Sequence, residues 1–166
     1  MKPNVLLDLD NTLIYSISAS KSYKYPSLRK HYFEDLVILE RPYLADFLTT
    51  LGKYYNVSVW TAAHRDYASF IVNNILIHHV EIFHLFDRQH VQHSLYYFGT
   101  MKNLDLLTKI YKIPMFIQHK NIIVDDLLEI CQQKNPCINV VPFTGQSDDN
   151  DLLVKLNILT EFTEHV

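Results

Sequence analysis

Two short apolar runs, Asn4 to Leu9 and Asn121 to Val124, each run directly into carboxylates, Asp8/Asp10 and Asp125-Asp126. Consecutive apolar positions leave no polar face for water, so each run reads as a strand covered on both sides, as in a parallel sheet. Asn56 to Trp60, short and β-branched, reads as another strand that ends at Thr61, and Ile138 to Val141 as a fourth. Helical spacing fills the gaps. Pro42 suits a first helical turn, and Tyr43, Leu44, Phe47, Leu48 and Leu51 follow on one face. Tyr67, Ala68, Ile71, Val72 and Ile75 form a second apolar face. Thr100 to Tyr111 reads as a helix burying Leu104, Leu107 and Tyr111, and Asp149 to Phe162 as a terminal helix with acids at its start. Alternating strands and helices predict a three-layer α/β fold with a central parallel sheet, in which ligands bind beyond the C-terminal strand ends. Ser16 to Leu39, rich in Ser, Tyr and Lys before an apolar run resumes at Leu36, reads as a small insertion of loops or short antiparallel strands.

Composition removes several alternatives. With 166 residues, 48% of them hydrophobic and 20% charged, the chain has the size and make-up of one globular domain spanning 1–166. A net charge of −3 provides no bulk basic field for nucleic acid. No apolar run reaches the ~18–20 residues of a membrane span, and the N-terminus lacks the apolar stretch of a signal peptide. Cys131 and Cys137 match no zinc spacing and no disulfide framework, so the expectation is reduced thiols and an intracellular location, nuclear or cytoplasmic. The densest histidine run, His78-His79, His84, His90 and His93 near Glu81, reads as partly exposed surface and loop residues rather than a metal site. Only three glycines occur, at 52, 99 and 145, so a Gly-rich phosphate loop cannot be built.

Phosphate chemistry must therefore use carboxylates and side-chain donors. Two aspartates at i and i+2 past a strand can approach one centre if the chain turns there. One of Asp8 and Asp10 can then serve as nucleophile and metal ligand while the other, held off the metal, acts as an acid–base group. A third carboxylate from the Asp125-Asp126 strand would complete an all-oxygen site suited to Mg²⁺. Thr61 offers a hydroxyl near an expected helix N-terminus for a phosphoryl oxygen, and Lys102 is the lysine best placed by order to neutralise charge.

These residues resemble the haloacid-dehalogenase-type phosphatases, whose first motif is Asp-x-Asp-x-Thr, and within them the FCP/SCP branch, phosphatases of the RNA polymerase II C-terminal domain. The resemblance rests on Asp-Leu-Asp-Asn-Thr-Leu at 8–13, Arg-Pro-Tyr-Leu-Ala-Asp-Phe-Leu at 41–48 and Val-Trp-Thr-Ala at 59–62. Lys102-Asn103-Leu104, Val-Asp-Asp at 124–126 and Asn-Val-Val-Pro-Phe-Thr-Gly at 139–145 extend it. It covers about residues 4–160, and His84 to Phe98 match poorly. Asn11 stands where the branch often has Glu, and Asn103 where it has Asp. The resemblance implies a Rossmann-type α/β/α fold and an Asp8 aspartyl-phosphate, with Asp10 protonating the leaving oxygen and then activating water. It further implies Mg²⁺ held by Asp8, the Asp10 carbonyl, Asp125 and Asp126, with Asp126 the preferred direct ligand, and a phosphoryl group bound by Thr61 and Lys102.

Spacing bears on the substrate. About 50 residues separate the first two motifs and about 24 separate Lys102 from Asp126, too few for a full cap domain. An uncapped site favours phosphate on a macromolecule. The expected function is thus a Mg²⁺-dependent protein serine/threonine phosphatase acting on flexible phosphorylated segments such as the polymerase tail. A capless phosphatase of nucleic-acid ends or small esters, and a catalytically silent scaffold of the same fold, are the alternatives. The aromatic residues of the insertion (Tyr23, Tyr25, Tyr32, Phe33) could edge a peptide groove or pack as a flap.

Overall fold

A computed structural model describes residues 1–164 of the chain. Its central sheet has five parallel strands in the order β6-β5-β1-β7-β8. They are β1 (Asn4–Leu7), β5 (Asn56–Trp60), β6 (Ile82–Phe86), β7 (Asn121–Asp125) and β8 (Cys137–Asn139). β1 lies between β5 and β7, pairing Leu7 with both Val59 and Val124. That register brings the ends of the three strands level, which is what gathers Asp8, Thr61 and Asp125-Asp126 at one edge.

The pleat explains the apolar runs. Val5, Leu7, Val57, Val59, Ile122 and Val124 face one side, where they pack on α1 (Leu44–Tyr54), α2 (Arg65–Asn74) and α6 (Asp151–Glu164). Leu6, Trp60, Phe86 and Ile123 face the other, against Val91, Leu106, Leu107, Phe116 and Ile130. Those partners come from α3 (Arg88–Phe98), a π-helical turn at Leu106–Ile110, α4 (Pro114–Gln118) and α5 (Leu128–Cys131). Both faces are covered, as a parallel sheet requires.

The Ser16–Leu39 region forms a second, antiparallel sheet in the order β2-β4-β3, from Ile14–Ser18, Leu36–Glu40 and Lys30–Phe33. It is too small to be a cap. Among the described residues no helix is long and apolar enough to cross a membrane.

Several expectations need correction. Ile82–Phe86 is a strand and Arg88–Phe98 a helix, two elements to which the sequence reading assigns nothing. The histidines there are partly exposed, but they lie in these elements rather than in loops: His84 stacks on Phe86, and His90 closes a capping box with Asp87 at the start of α3. Thr100 to Tyr111 is not one helix. Lys102 sits in a turn, and only Leu106–Ile110 winds, as a π-helix. Pro42 precedes α1, whose N-cap is Tyr43 in a left-handed conformation (φ 67°). Cys131 and Cys137, expected reduced, are joined in a disulfide between α5 and β8. The helix ending at 131 and the strand beginning at 137 face each other across a short loop, which sequence spacing alone does not reveal.

Candidate active site

The chain turns sharply after β1. The Leu9 carbonyl accepts from the Thr12 and Leu13 amides at 3.1 and 2.8 Å, and Asn11 takes a left-handed φ of 63°. Asparagine tolerates that conformation better than most residues. Its side-chain amide donates to the Phe143 carbonyl at 3.0 Å, while its own carbonyl accepts from the Phe143 amide at 2.8 Å. Behind the turn lies Arg41, only 1% exposed, which donates to the Thr12 carbonyl at 3.0 Å, the Val141 carbonyl at 2.7 Å and both Asp149 oxygens. The turn that separates Asp8 from Asp10 is thereby fixed from two directions.

Asp8 is nearly buried, and its oxygens have different partners. Oδ1 accepts from the Lys102 ammonium at 2.9 Å, and Oδ2 from the Thr12 hydroxyl at 3.0 Å. Lys102 also donates to Asp125 Oδ2 at 2.6 Å, and the other Asp125 oxygen accepts from the Leu127 amide at 2.9 Å. The Thr12 hydroxyl lies 3.1 Å from Asp126 Oδ1 and accepts from the Asp126 amide. Asp10 points elsewhere: its Oδ1 accepts from the Tyr67 hydroxyl at 2.6 Å. The two aspartates are thus differentiated by their surroundings.

Electrostatics follow from this crowding. Burial raises the Asp8 carboxyl above the usual carboxylate range, against the pull of Lys102. Burial, with the Asp8 charge adding to it, raises Asp10 against the Tyr67 hydrogen bond. Asp125 is raised by burial and by Asp8. Burial pulls Lys102 down, but the Asp8 and Asp125 charges outweigh it, so the ammonium is held. Burial and Asp10 push the Tyr67 phenol far above its ordinary value.

The structure brings all six predicted residues to one place but not into equal roles. Asp8, Asp10, Thr61 and Asp126 line an open cavity of about 290 Å³ with Asn11, Ala62, Ala63 and Leu127. Lys102 and Asp125, 3% and 0% exposed, lie beneath it. Thr61 is not at a helix N-terminus, because α2 begins only at Arg65. Its hydroxyl accepts from the Ala63 amide at 3.0 Å and keeps its own proton to donate. Sequence reasoning assigned no role to Thr12, Arg41 or Tyr67. Thr12 is legible as the third position of the motif, whereas the reach of Arg41 and the Tyr67 hydroxyl is set by tertiary packing.

Oxygen ligands from Asp8, Asp125 and Asp126 lie within 4.8 Å of one another, the one such acidic, His or Cys cluster among the described residues. The Lys102 ammonium pairs with buried Asp8 and Asp125, while Asp10 and Asp126, both half-buried, add carboxylates at the cavity, so acids outnumber the one nearby cation. A hard divalent cation with oxygen ligands fits that donor set.

A doubly covered parallel sheet with its carboxylates at the β1 and β7 ends, and no large cap, is the architecture of a haloacid-dehalogenase-type phosphatase. The sequence model of the NLI interacting factor-like phosphatases matches residues 3–166, and the chain belongs to that family, of FCP/SCP type. The putative CTD phosphatase-like protein 355R of Invertebrate iridescent virus 3 is 35% identical over 184 aligned residues, 97% of each chain. Its counterpart in Invertebrate iridescent virus 6 is 32% identical over 169, covering 89% of this chain and 90% of that protein. Among solved structures, Fcp1, an essential RNA polymerase II CTD phosphatase, superposes with a TM-score of 0.61 at 17% identity over 95% of this chain. Fission yeast Fcp1-R271A bound to beryllium fluoride gives 0.60 at 16% over 98%. The likeness to both is one of fold, and the chain spans about half of their length, 49% and 51%.

Proposed function

We propose that this protein is a Mg²⁺-dependent protein serine/threonine phosphatase that works through an aspartyl-phosphate on Asp8. One observation carries the reading: Asp8 is pinned by Lys102 and Thr12 at the floor of an open cavity, while Asp10, two residues on, is held apart by Tyr67. That division suits a nucleophile and a separate acid–base group.

In the first step a carboxylate oxygen of Asp8 forms a bond to phosphorus as the bond to the serine or threonine oxygen breaks. Asp10, whose raised pKa favours the protonated form, gives that leaving oxygen its proton. In the second step Asp10, now a carboxylate, takes a proton from water as the water oxygen attacks phosphorus. Phosphate departs and Asp8 is restored. Thr61 donates its hydroxyl to a phosphoryl oxygen. Lys102, beneath the cavity, orients Asp8 and balances part of the charge. Asp8, Asp126 and Asp125, with the Asp10 carbonyl, would hold Mg²⁺, which when bound supplies countercharge for the carboxylates and the phosphate.

Openness supports a macromolecular substrate. Ala62 and Ala63 are shared with a neighbouring open groove of about 460 Å³ lined also by Phe33, His64, Tyr67 and Arg88. A phosphate carried on an extended protein segment, such as the RNA polymerase II CTD named for Fcp1, can enter without a lid opening. The test is turnover with Mg²⁺ of phosphoserine peptides against nucleotides and 3′- or 5′-phosphorylated oligonucleotides. Preference for the peptides is expected; turnover of oligonucleotides alone would overturn the substrate class.

A further inference from the structure

Asp10 has to present one oxygen to the reacting centre in two successive proton transfers, so its carboxylate plane cannot be left free to rotate. We infer that the Tyr67 hydroxyl is a positioning residue for Asp10, and that the small antiparallel sheet serves to aim it. The inference rests on the phosphatase reading above and assigns work to a residue that packing alone would treat as part of the apolar face of α2.

The hydrogen bonds have a direction. Tyr67 has one hydroxyl proton and gives it to Asp10 Oδ1 at 2.6 Å. Ser16 also contacts the Tyr67 oxygen, and with that proton committed to Asp10 the Ser16 hydroxyl must be the donor. A relay Ser16 to Tyr67 to Asp10 results, ending on one carboxylate oxygen and leaving Oδ2 to handle the transferred proton. Three elements build it. Ser16 lies on β2, in register with Ile38 of β4. Tyr67 lies in the first turn of α2. Its ring stands edge-on to Phe33 of β3, centroids 5.9 Å apart at 74°. The antiparallel sheet thus touches Tyr67 at both its hydroxyl and its ring. A residue needed only to fill space has no use for a directed hydroxyl chain ending on the acid–base carboxylate.

Tyr67→Phe keeps the ring and removes the donor. The expected result is a fall in kcat of about tenfold or more on a phosphoserine peptide, with KM within about twofold and the thermal midpoint near wild type. On p-nitrophenyl phosphate, whose leaving group needs no proton, the first-turnover burst should stay within about twofold while steady-state turnover falls. Ser16→Ala, which loosens the relay but leaves Tyr67 in place, should lower kcat on the peptide by about threefold, and decides the matter if Tyr67→Phe fails to fold. Unchanged kcat in the folded variant, or an equal loss in burst and steady state, would overturn the positioning role. Asp8→Asn and Asp10→Asn assayed alongside separate the two levels. Inactive aspartate variants beside an unaffected Tyr67→Phe sink this inference alone, whereas an active Asp8→Asn sinks the phosphatase mechanism and the inference with it.

Discussion

Lys102 and Asp8, 94 residues apart in the chain, meet at 2.9 Å in a buried pair, and the same ammonium reaches Asp125 at 2.6 Å. The lysine therefore ties the end of β1 to the end of β7 from beneath. Removing it leaves two buried carboxylates without their counterion, a far costlier change than losing a surface pair. Lys102→Met is expected to lower the unfolding free energy by about 3 kcal/mol and kcat by at least about a hundredfold. Urea unfolding and steady-state kinetics on the same preparation check both. Full stability in the variant would contradict the burial of the pair.

The cluster of Asp8, Asp125 and Asp126, with a single ammonium against two of them, predicts a metal-dependent stability. Mg²⁺ should raise the thermal midpoint, by about 3 kcal/mol of stability at a concentration near 100 times Kd, and EDTA should reverse it. Asp126→Asn should weaken the effect more than any change at the half-buried Asp105, which pairs with Lys109 outside the cluster. A midpoint indifferent to Mg²⁺ would remove the cation from the account.

Histidine 90 gives the fold a pH dependence away from the carboxylates. Its Nδ1 lies 3.0 Å from both the Asp87 amide, which donates to the neutral ring, and Asp87 Oδ1, which accepts from a protonated one. Burial lowers its pKa, outweighing the Asp87 carboxylate, with Arg65 and His93 opposing the charge as well. The folded state thus binds a proton less readily than the unfolded chain. Its contribution is complete above the unfolded pKa of about 6.5 and is lost as pH falls toward the folded value. Between pH 8 and pH 5, wild type should lose more stability than His90→Gln, read as the change in urea midpoint. Parallel losses would contradict it.

The disulfide steadies the lysine from behind. It brackets Asn135, which donates to the Lys102 carbonyl at 3.0 Å and whose side-chain oxygen faces the Leu104 amide. Closing a loop between cysteines 6 positions apart is worth about 2 kcal/mol in the chain-entropy picture. The double variant Cys131→Ser, Cys137→Ser should lose about that much in chemical unfolding, with kcat reduced less than about threefold.

The parts legible in the sequence were those in which one chemical requirement dominates. Val5 to Leu7 and Ile122 to Val124 are apolar at every position because both pleat faces are covered, so β1, β7 and the acids beyond them could be read directly. The antiparallel insertion was placed but not drawn, since its strands carry polar residues on an outer face. β6 and α3 were missed because His84 and His90 are polar by type yet pack among Phe86, Phe116 and Tyr111, which blurs both periodicities. Lys102 was assigned to a helix because Leu104 and Leu107 suggest one, but the chain there bends to bring the ammonium under Asp8. The Tyr67 hydroxyl and the Cys131–Cys137 bridge depend on how distant elements dock, and spacing carries no record of that.

Borohydride reduction of acid-quenched enzyme tests the central claim most directly. A carboxylate linked to phosphate is reduced to an alcohol, whereas a free carboxylate is left alone. With a phosphoserine peptide and Mg²⁺ in a single turnover, peptide mass spectrometry should find homoserine at position 8 and unchanged aspartate at positions 10, 125 and 126. Turnover that proceeds with position 8 unmodified, or with the reduced residue at another position, would contradict the assignment of Asp8 as nucleophile.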